Sequence, residues 1–268
     1  MQALRLVDVG DAAPMRQQLE ELAQRWRRYE ATPIDPTISP VDDMFGGNAG
    51  YYLQSGRTAL ELITEAMMLT GRTQFAQVLD APCGGGRVTR HLKAFFPEAT
   101  ISASDIEPAK QAFVVAQFGA QPYAASADFI AKPQAKFDLI FVGSLLTHLP
   151  ADLYRRAVDY FIRALAPGGI LIVTTHGRTA ALVARKVPDR LTRWRHLVAT
   201  GLRLPLRGFA YVGSWRMRLR SGVRYGGSFN TVAWAASLIE RRDDARLLGY
   251  KERGWMDLQD VLIVQKNL

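Results

Sequence analysis

Short apolar runs, each followed by a stretch of helical spacing, set the rhythm of the chain. Val78 and Leu79 end one such run, closed by Asp80. From Arg87 onward, Val88, His91, Leu92 and Phe95 recur at the spacing of one helix face. The run at 99–105 ends on Asp105 and precedes a helix that opens near Pro108. Residues 121–126 read as a weak strand. Residues 136–144 are apolar almost throughout, as a central parallel strand buried on both faces should be. A helix over 151–165, broken by Ala166-Pro167-Gly168-Gly169, leads into a strand over 169–175. A helix over 230–240 and strands over 247–255 and 260–265 close the pattern. Ahead of the first run, Met15, Leu19, Leu22 and Trp26 make an apolar stripe on a helix capped by Asp11. The three prolines of 31–40 predict extended chain, 46–50 a flexible glycine loop, and 58–69 a helix with Leu60, Ile63 and Met67 on one face. Strands alternating with helices predict an α/β fold around a mostly parallel sheet.

Between Asp80 and Arg87 stands Pro82-Cys83-Gly84-Gly85-Gly86. In a strand–glycine turn–helix unit the backbone can approach a ligand closely, and the helix start offers free N–H groups to polar or anionic atoms. The dinucleotide fingerprint needs a glycine where Thr89 stands, and the phosphate-binding P-loop needs a lysine that is absent here. Asp105 lies about 20 residues beyond the turn, at the end of the second strand, where a carboxylate accepts hydrogen bonds from two ribose hydroxyls. Ile106 would then pack on the adenine. The plainer alternatives are a tight strand-to-helix connection, an Asp105 that only caps the next helix, and a Cys83 that only packs.

Asp80 to Gly86 resembles the first motif of the class I S-adenosylmethionine-dependent methyltransferases, D-x-G-x-G-x-G. The run KFDLIFVGS at 136–144 resembles the family's fourth motif, and L-x-P-G-G-x-hydrophobic from Leu165 is similar to its fifth-strand approach. Pro82 replaces the first glycine of the turn and fixes one φ there, so a variant turn is expected. The resemblance covers 55–177, and 228–268 in outline. It implies a three-layer α/β sandwich with a seven-stranded, mostly parallel sheet and an antiparallel last strand. Residues 1–54 would form an N-terminal helical lid, and 178–227 a basic insertion over the acceptor side. It implies S-adenosyl-L-methionine as cofactor, bound by Asp80, Pro82, Cys83, Gly84, Gly86, Asp105, Ile106, Ser126, Ala127 and Gly143, with Asp128 a second choice at the adenine and no metal. Asp42, Asp43, Tyr51, Tyr52 and Arg57 are further lid candidates, Arg57 for the cofactor carboxylate. The implied reaction is in-line methyl transfer to an acceptor oxygen. A hydroxyl acceptor needs a base near neutral pKa. His148 and His176 are the histidines at strand ends, although His148 equally suits a loop-orienting or helix-capping role.

Composition narrows the setting. The 268 residues are 48% hydrophobic, ample for a packed core and contrary to disorder. One cysteine allows no intrachain disulfide and fits a reducing compartment. No apolar run approaches the ~18 residues of a spanning helix. The first residues lack the basic-then-apolar order of a signal peptide, so a cytoplasmic protein is expected. The net charge of +9 favours anionic partners, and it is unevenly placed. Residues 178–224 hold about a dozen Arg and Lys with Asp189 the only acid, interleaved with Trp194, Phe209, Tyr211 and Trp215. This segment reads as a site for an anionic small-molecule or glycan acceptor, as a peripheral membrane contact, or as a solvated cap. RNA stands below these, because no RNA-binding module is appended. Three functions remain: a methyltransferase, a non-catalytic cofactor-binding protein of the same fold, and a nicotinamide oxidoreductase, which Thr89 disfavours.

Overall fold

In the computed structural model, which describes residues 13–213 and 224–268, the strands are β1 (Gln77–Asp80), β2 (Thr100–Ala103), β3 (Gln121–Pro122), β4 (Phe137–Val142), β5 (Leu165–Thr175), β6 (Phe209–Gly213), β7 (Gly226–Asn230), β8 (Ala245–Trp255) and β9 (Gln259–Lys266). The helices are α1 (Ala13–Glu30), α2 (Ala49–Thr70), α3 (Thr89–Phe95), α4 (Pro108–Phe118), α5 (Ala151–Ala164), α6 (Arg178–Ala184), α7 (Arg190–Val198), α8 (Leu204–Arg207) and α9 (Val232–Glu240). The expected Asp11 cap, Trp215 and the leading segment fall outside the described residues.

Seven strands form one sheet in the order β3-β2-β1-β4-β5-β9-β8. β1 pairs in parallel with β2 and β4, and β4 with β5, while β9 runs antiparallel to both β5 and β8. Alternation along the strands sorts their side chains onto two faces. Val78, Leu139, Phe141, Ile170, Ile172 and Ile263 meet α1, α2 and α3 on one face. Leu79, Ile140, Val142, Leu171, Val173 and Leu262 meet α5 and α9 on the other. This is the three-layer α/β sandwich that the sequence implied. Chain order reverses between β1 and β4, and ligands in open α/β sheets sit outside the strand ends at such a switch point.

Several boundaries differ from the sequence reading, each for a local reason. α2 begins nine residues earlier than expected, at Ala49 rather than Thr58, because the Asn48 side chain accepts the Tyr51 N–H and caps it. The helix tolerates Gly56 because helix α3 packs against it there: a Cβ would lie 2.0 Å from the His91 ring. α3 starts at Thr89, two residues late, since Gly86 and Arg87 are still in the turn. β5 starts at Leu165, before the Pro-Gly-Gly, and absorbs it by a register shift against β4. β3 keeps only Gln121 and Pro122 of the weak 121–126 strand, and Ser126 turns back to accept the Phe129 N–H. Residues beyond β5 form α6 to α8, joined by a turn of π-helix at Ala199–Arg203, and the separate two-stranded ribbon β6-β7.

Candidate functional site

A crevice of about 510 Å³ opens at the carboxyl ends of β1, β2 and β4. Its floor is the glycine turn. Cys83 N–H donates to the Ser104 carbonyl and Gly86 N–H to the Cys83 carbonyl, which ties the turn to the end of β2. The Ala81–Pro82 peptide is cis. The three glycines serve different ends. Gly84, at φ +51, has nothing within 4 Å of where a Cβ would stand. At Gly85 a Cβ would lie 2.1 Å from an Asp42 carboxylate oxygen, and at Gly86, at φ +78, 2.4 Å from the Phe118 ring. Gly84 therefore leaves room on the crevice side, whereas Gly85 and Gly86 are demanded by protein neighbours.

The two acids behave differently. Asp80 is 1% exposed and accepts the Thr89 hydroxyl at 2.6 Å, so the residue that spoils the dinucleotide fingerprint anchors the helix to the strand instead. Burial pushes the Asp80 carboxyl up to about 7. Asp105 accepts the Gly84 N–H through one oxygen and the Glu107 N–H through the other, both at 2.9 Å. Each oxygen keeps a second lone pair. Burial raises the Asp105 pKa, against the pull of these two bonds. The helix cap itself falls at Glu107, without a side-chain bond.

The segment before α2 folds over the turn. Arg90 is 3% exposed and donates to the carbonyls of Gly86, Gly85 and Asp35. Tyr52 OH donates to Asp42 at 2.5 Å and also reaches the Gly85 carbonyl. Lys110 bridges Asp43 at 2.8 Å and Glu107 at 2.6 Å, and its hydrogen bond lowers the Asp43 pKa. Arg57 pairs with Glu30 and Glu61, outside the crevice lining, and Tyr51 is exposed. A different arginine lines the crevice. Arg87 lies over the Trp255 ring at 5.0 Å, forms no ion pair among the described residues, and has its pKa lowered by burial. Arg87 directly follows the glycine run, the one signal in the sequence that points to it.

At the far wall, Gly143 and Ser144 directly follow β4. A Cβ on Gly143 would press to 2.9 Å on Phe141 and Trp255. Ser144 is held at φ +61 by a closed ring of bonds: its N–H donates to Thr174, Thr174 to Gln259, and Gln259 back to the Ser144 hydroxyl. Left-handed backbone at a non-glycine residue is costly and persists where surroundings over-determine it.

The structure separates the two histidines, whose rings lie 6.5 Å apart. His148 lines the crevice, with its Nδ1 2.8 Å from the Gly226 carbonyl oxygen. A carbonyl can only accept, so Nδ1 carries the proton and Nε2 the lone pair. Burial lowers the His148 pKa, and Tyr225 stacks on its ring at 4.2 Å. His176 is absent from the lining, contrary to the expectation that both face one crevice. It stacks on Phe229 at 5.6 Å, because the backbone bond from Asn230 N–H to its carbonyl draws it against β7. Burial pushes its pKa down to about 4, and its Nδ1 has no hydrogen-bond partner among the described residues.

Of the cofactor candidates, Asp80, Pro82, Cys83, Gly84, Asp105, Ile106 and Gly143 line the crevice. Gly86, Ser126 and Ala127 do not, nor does Asp128, whose carboxylate accepts the Ser126 hydroxyl and the Ile130 N–H. No cluster of His, Cys, Asp and Glu able to hold a metal occurs among the described residues, and none of the described helices is long and apolar enough to cross a membrane.

Residues 46–208 match a family model described as a methyltransferase domain. Malonyl-[acyl-carrier protein] O-methyltransferase of Enterobacter lignolyticus is 32% identical over 163 residues, 59% of this chain and 61% of that protein. Trans-aconitate 2-methyltransferase of Streptomyces avermitilis is 27% identical over 164 residues, 59% of this chain and 53% of that protein. The match thus spans less than two thirds of either relative's length. Among solved structures, Burkholderia thailandensis 1,6-didemethyltoxoflavin-N1-methyltransferase, determined with S-adenosylhomocysteine, aligns over 100% of this chain and 94% of its own. The TM-score is 0.52 at 16% identity, a likeness of fold.

Proposed function

The chain belongs to the S-adenosylmethionine-dependent methyltransferase family, and from that premise we propose that it methylates an oxygen of a small-molecule or glycan acceptor, with His148 as the base. The residues at the crevice fit the cofactor. The volume of about 510 Å³ suits a ligand of that size. Gly84 leaves space for close approach, and the free lone pairs of Asp105 suit a ribose diol. Arg87 and Asp42, opposite charges that both line the crevice, suit the carboxylate and ammonium of the amino-acid tail. The bound cofactor supplies an activated methyl on a sulfonium, so the protein's task is alignment and exclusion of water. Good alignment is worth ~7–11 kcal/mol of barrier.

The observation that carries the base assignment is the Nδ1 bond to the Gly226 carbonyl. It fixes the tautomer, leaves Nε2 basic, and Tyr225 stacking fixes the ring plane. The lowered pKa keeps the imidazole neutral near pH 7, ready to take a proton from an acceptor hydroxyl. A second reading comes from the names of the two relatives, malonyl and trans-aconitate, which favour an acid as acceptor. A carboxylate oxygen is already anionic and needs no base.

One experiment separates these readings. S-adenosylhomocysteine release is measured across hydroxyl and carboxylate acceptors for the wild type and His148→Ala. With a hydroxyl acceptor the variant should lose about 10²–10⁴-fold in turnover, with cofactor affinity unchanged. Wild-type turnover should fall as pH drops through the lowered His148 pKa, because protonation removes the lone pair. Turnover with a carboxylate that is indifferent to His148→Ala establishes the acid reading. No turnover with any acceptor, in a protein that still binds the cofactor, returns the chain to a binding role.

A further inference from the structure

Seven of the eighteen large apolar side chains that the described residues leave exposed fall between 182 and 206. Leu191, Trp194, Leu202 and Leu206 are 58% to 76% exposed, and α7 buries no residue at all. Scattered surface leucines need no explanation, but a concentration of this kind marks a contact surface. The segment is nonetheless tied in place. Asp189 caps α7 by accepting the Thr192 N–H at 2.6 Å, Arg195 donates to the Gly213 carbonyl, and Arg185 reaches Thr200. The anchors are thus presented on a built scaffold.

The charge on this surface limits what can cover it. Residues 178–207 hold eight arginines and lysines and one acid, Asp189. Arg178 pairs with Glu252. Lys186, Arg190, Arg193, Arg203 and Arg207 form no ion pair among the described residues. A second copy of the chain would bring like charges together. Nucleic acid would use stacking surfaces, and Trp194 is the exposed aromatic among aliphatic anchors. An anionic bilayer meets both features, taking leucine and tryptophan into the headgroup boundary while arginines remain at the phosphates.

We propose that the surface built by α6, α7 and α8 docks the protein peripherally on an anionic phospholipid surface, with Leu191, Trp194 and Leu206 as anchors. The test is flotation with vesicles of phosphatidylcholine and phosphatidylglycerol at about 2:1, against pure phosphatidylcholine. The wild type should float with the acidic vesicles at low salt, stay behind with the neutral ones, and be released at about 0.5 M salt, where screening is strong. Leu191→Ser/Trp194→Ser and Arg190→Glu/Arg193→Glu should each reduce the bound fraction about fivefold or more. Unchanged S-adenosylhomocysteine affinity and circular dichroism show that both variants fold. Absence of flotation at low salt overturns the proposal, and so does full retention of both variants. A concentration-dependent dimer abolished by Leu191→Ser/Trp194→Ser, without vesicle binding, assigns the surface to a second copy. A labelled RNA oligomer that displaces the vesicles assigns it to nucleic acid.

Discussion

The two ends of the crevice are built in different ways. At the end proposed for the adenosine, backbone groups and one carboxylate make the framework: Cys83 N–H to Ser104, Gly84 N–H to Asp105, Glu107 N–H to Asp105. All of it comes from one stretch, residues 80–107. At the end proposed for the amino-acid tail and the acceptor, the lining is made of side chains brought from far apart: Asp42, Arg87, His148, Tyr225 and Trp255. Damage at the first end should act on every ligand that carries the nucleoside. Damage at the second should act on selected parts of a ligand. S-adenosylhomocysteine and 5′-methylthioadenosine, which lacks the amino-acid tail, make that distinction measurable.

The largest effect is expected at Gly86. Its φ of +78 disfavours any side chain, and a Cβ would press on the Phe118 ring at 2.4 Å. Gly86→Ala should destabilise the protein by about 2–4 kcal/mol in urea unfolding. In calorimetry it should weaken both ligands alike, by about a hundredfold. A variant that binds both normally would show that the turn is not the floor of the nucleoside end.

Asp105→Ala comes next. Loss of a charged acceptor of ligand hydroxyls costs about 1.5–3 kcal/mol, tenfold or more in affinity. The loss should be equal for the two ligands, since both carry the ribose. The pH dependence has a definite sign. Burial raises the Asp105 pKa above the ordinary 3.8, and the ionised form is the one that accepts two hydroxyls. Affinity should therefore be flat above that raised value and fall as pH is lowered through it, while Asp105→Asn should be flat over the same window. Equal affinity of the wild type and Asp105→Ala at neutral pH would remove the ribose assignment.

The same contrast explains what could be read in advance. The mostly parallel sheet with its antiparallel last strand, and the turn with an acid at the next strand end, were legible because their signals are local: apolar runs of strand length, a glycine turn, and Asp105 after β2. Even the cause of the departures was local, as with Asn48 capping α2. The other end was poorly legible because proximity there is set by packing. Arg57 and Arg87 look equivalent in the sequence, but Glu30 and Glu61 occupy one while the other lies over Trp255. His148 and His176 both follow strands. Only the Gly226 carbonyl, 78 residues along the chain from His148, decides which ring faces the crevice. Only the family resemblance points Ser126 and Ala127 to an adenine, and the short β3 lets that stretch turn away to Phe129.

The smallest effect, and the most discriminating, belongs to Arg87. Its guanidinium lines the crevice without an ion pair among the described residues, and burial lowers its pKa. A half-buried cation is costly unless a counter-charge arrives, and the carboxylate of the amino-acid tail can be that charge. Arg87→Ala should therefore weaken S-adenosylhomocysteine by about tenfold, one charge-assisted hydrogen bond in a partly solvated site. It should leave 5′-methylthioadenosine unchanged, because that ligand brings no carboxylate. Arg87→Lys should recover part of the affinity by charge alone, and Asp42→Asn should repeat the selective loss through the ammonium. Equal weakening of both ligands in Arg87→Ala would mean that the arginine only supports Trp255. The two ends of the crevice would then fail as one unit.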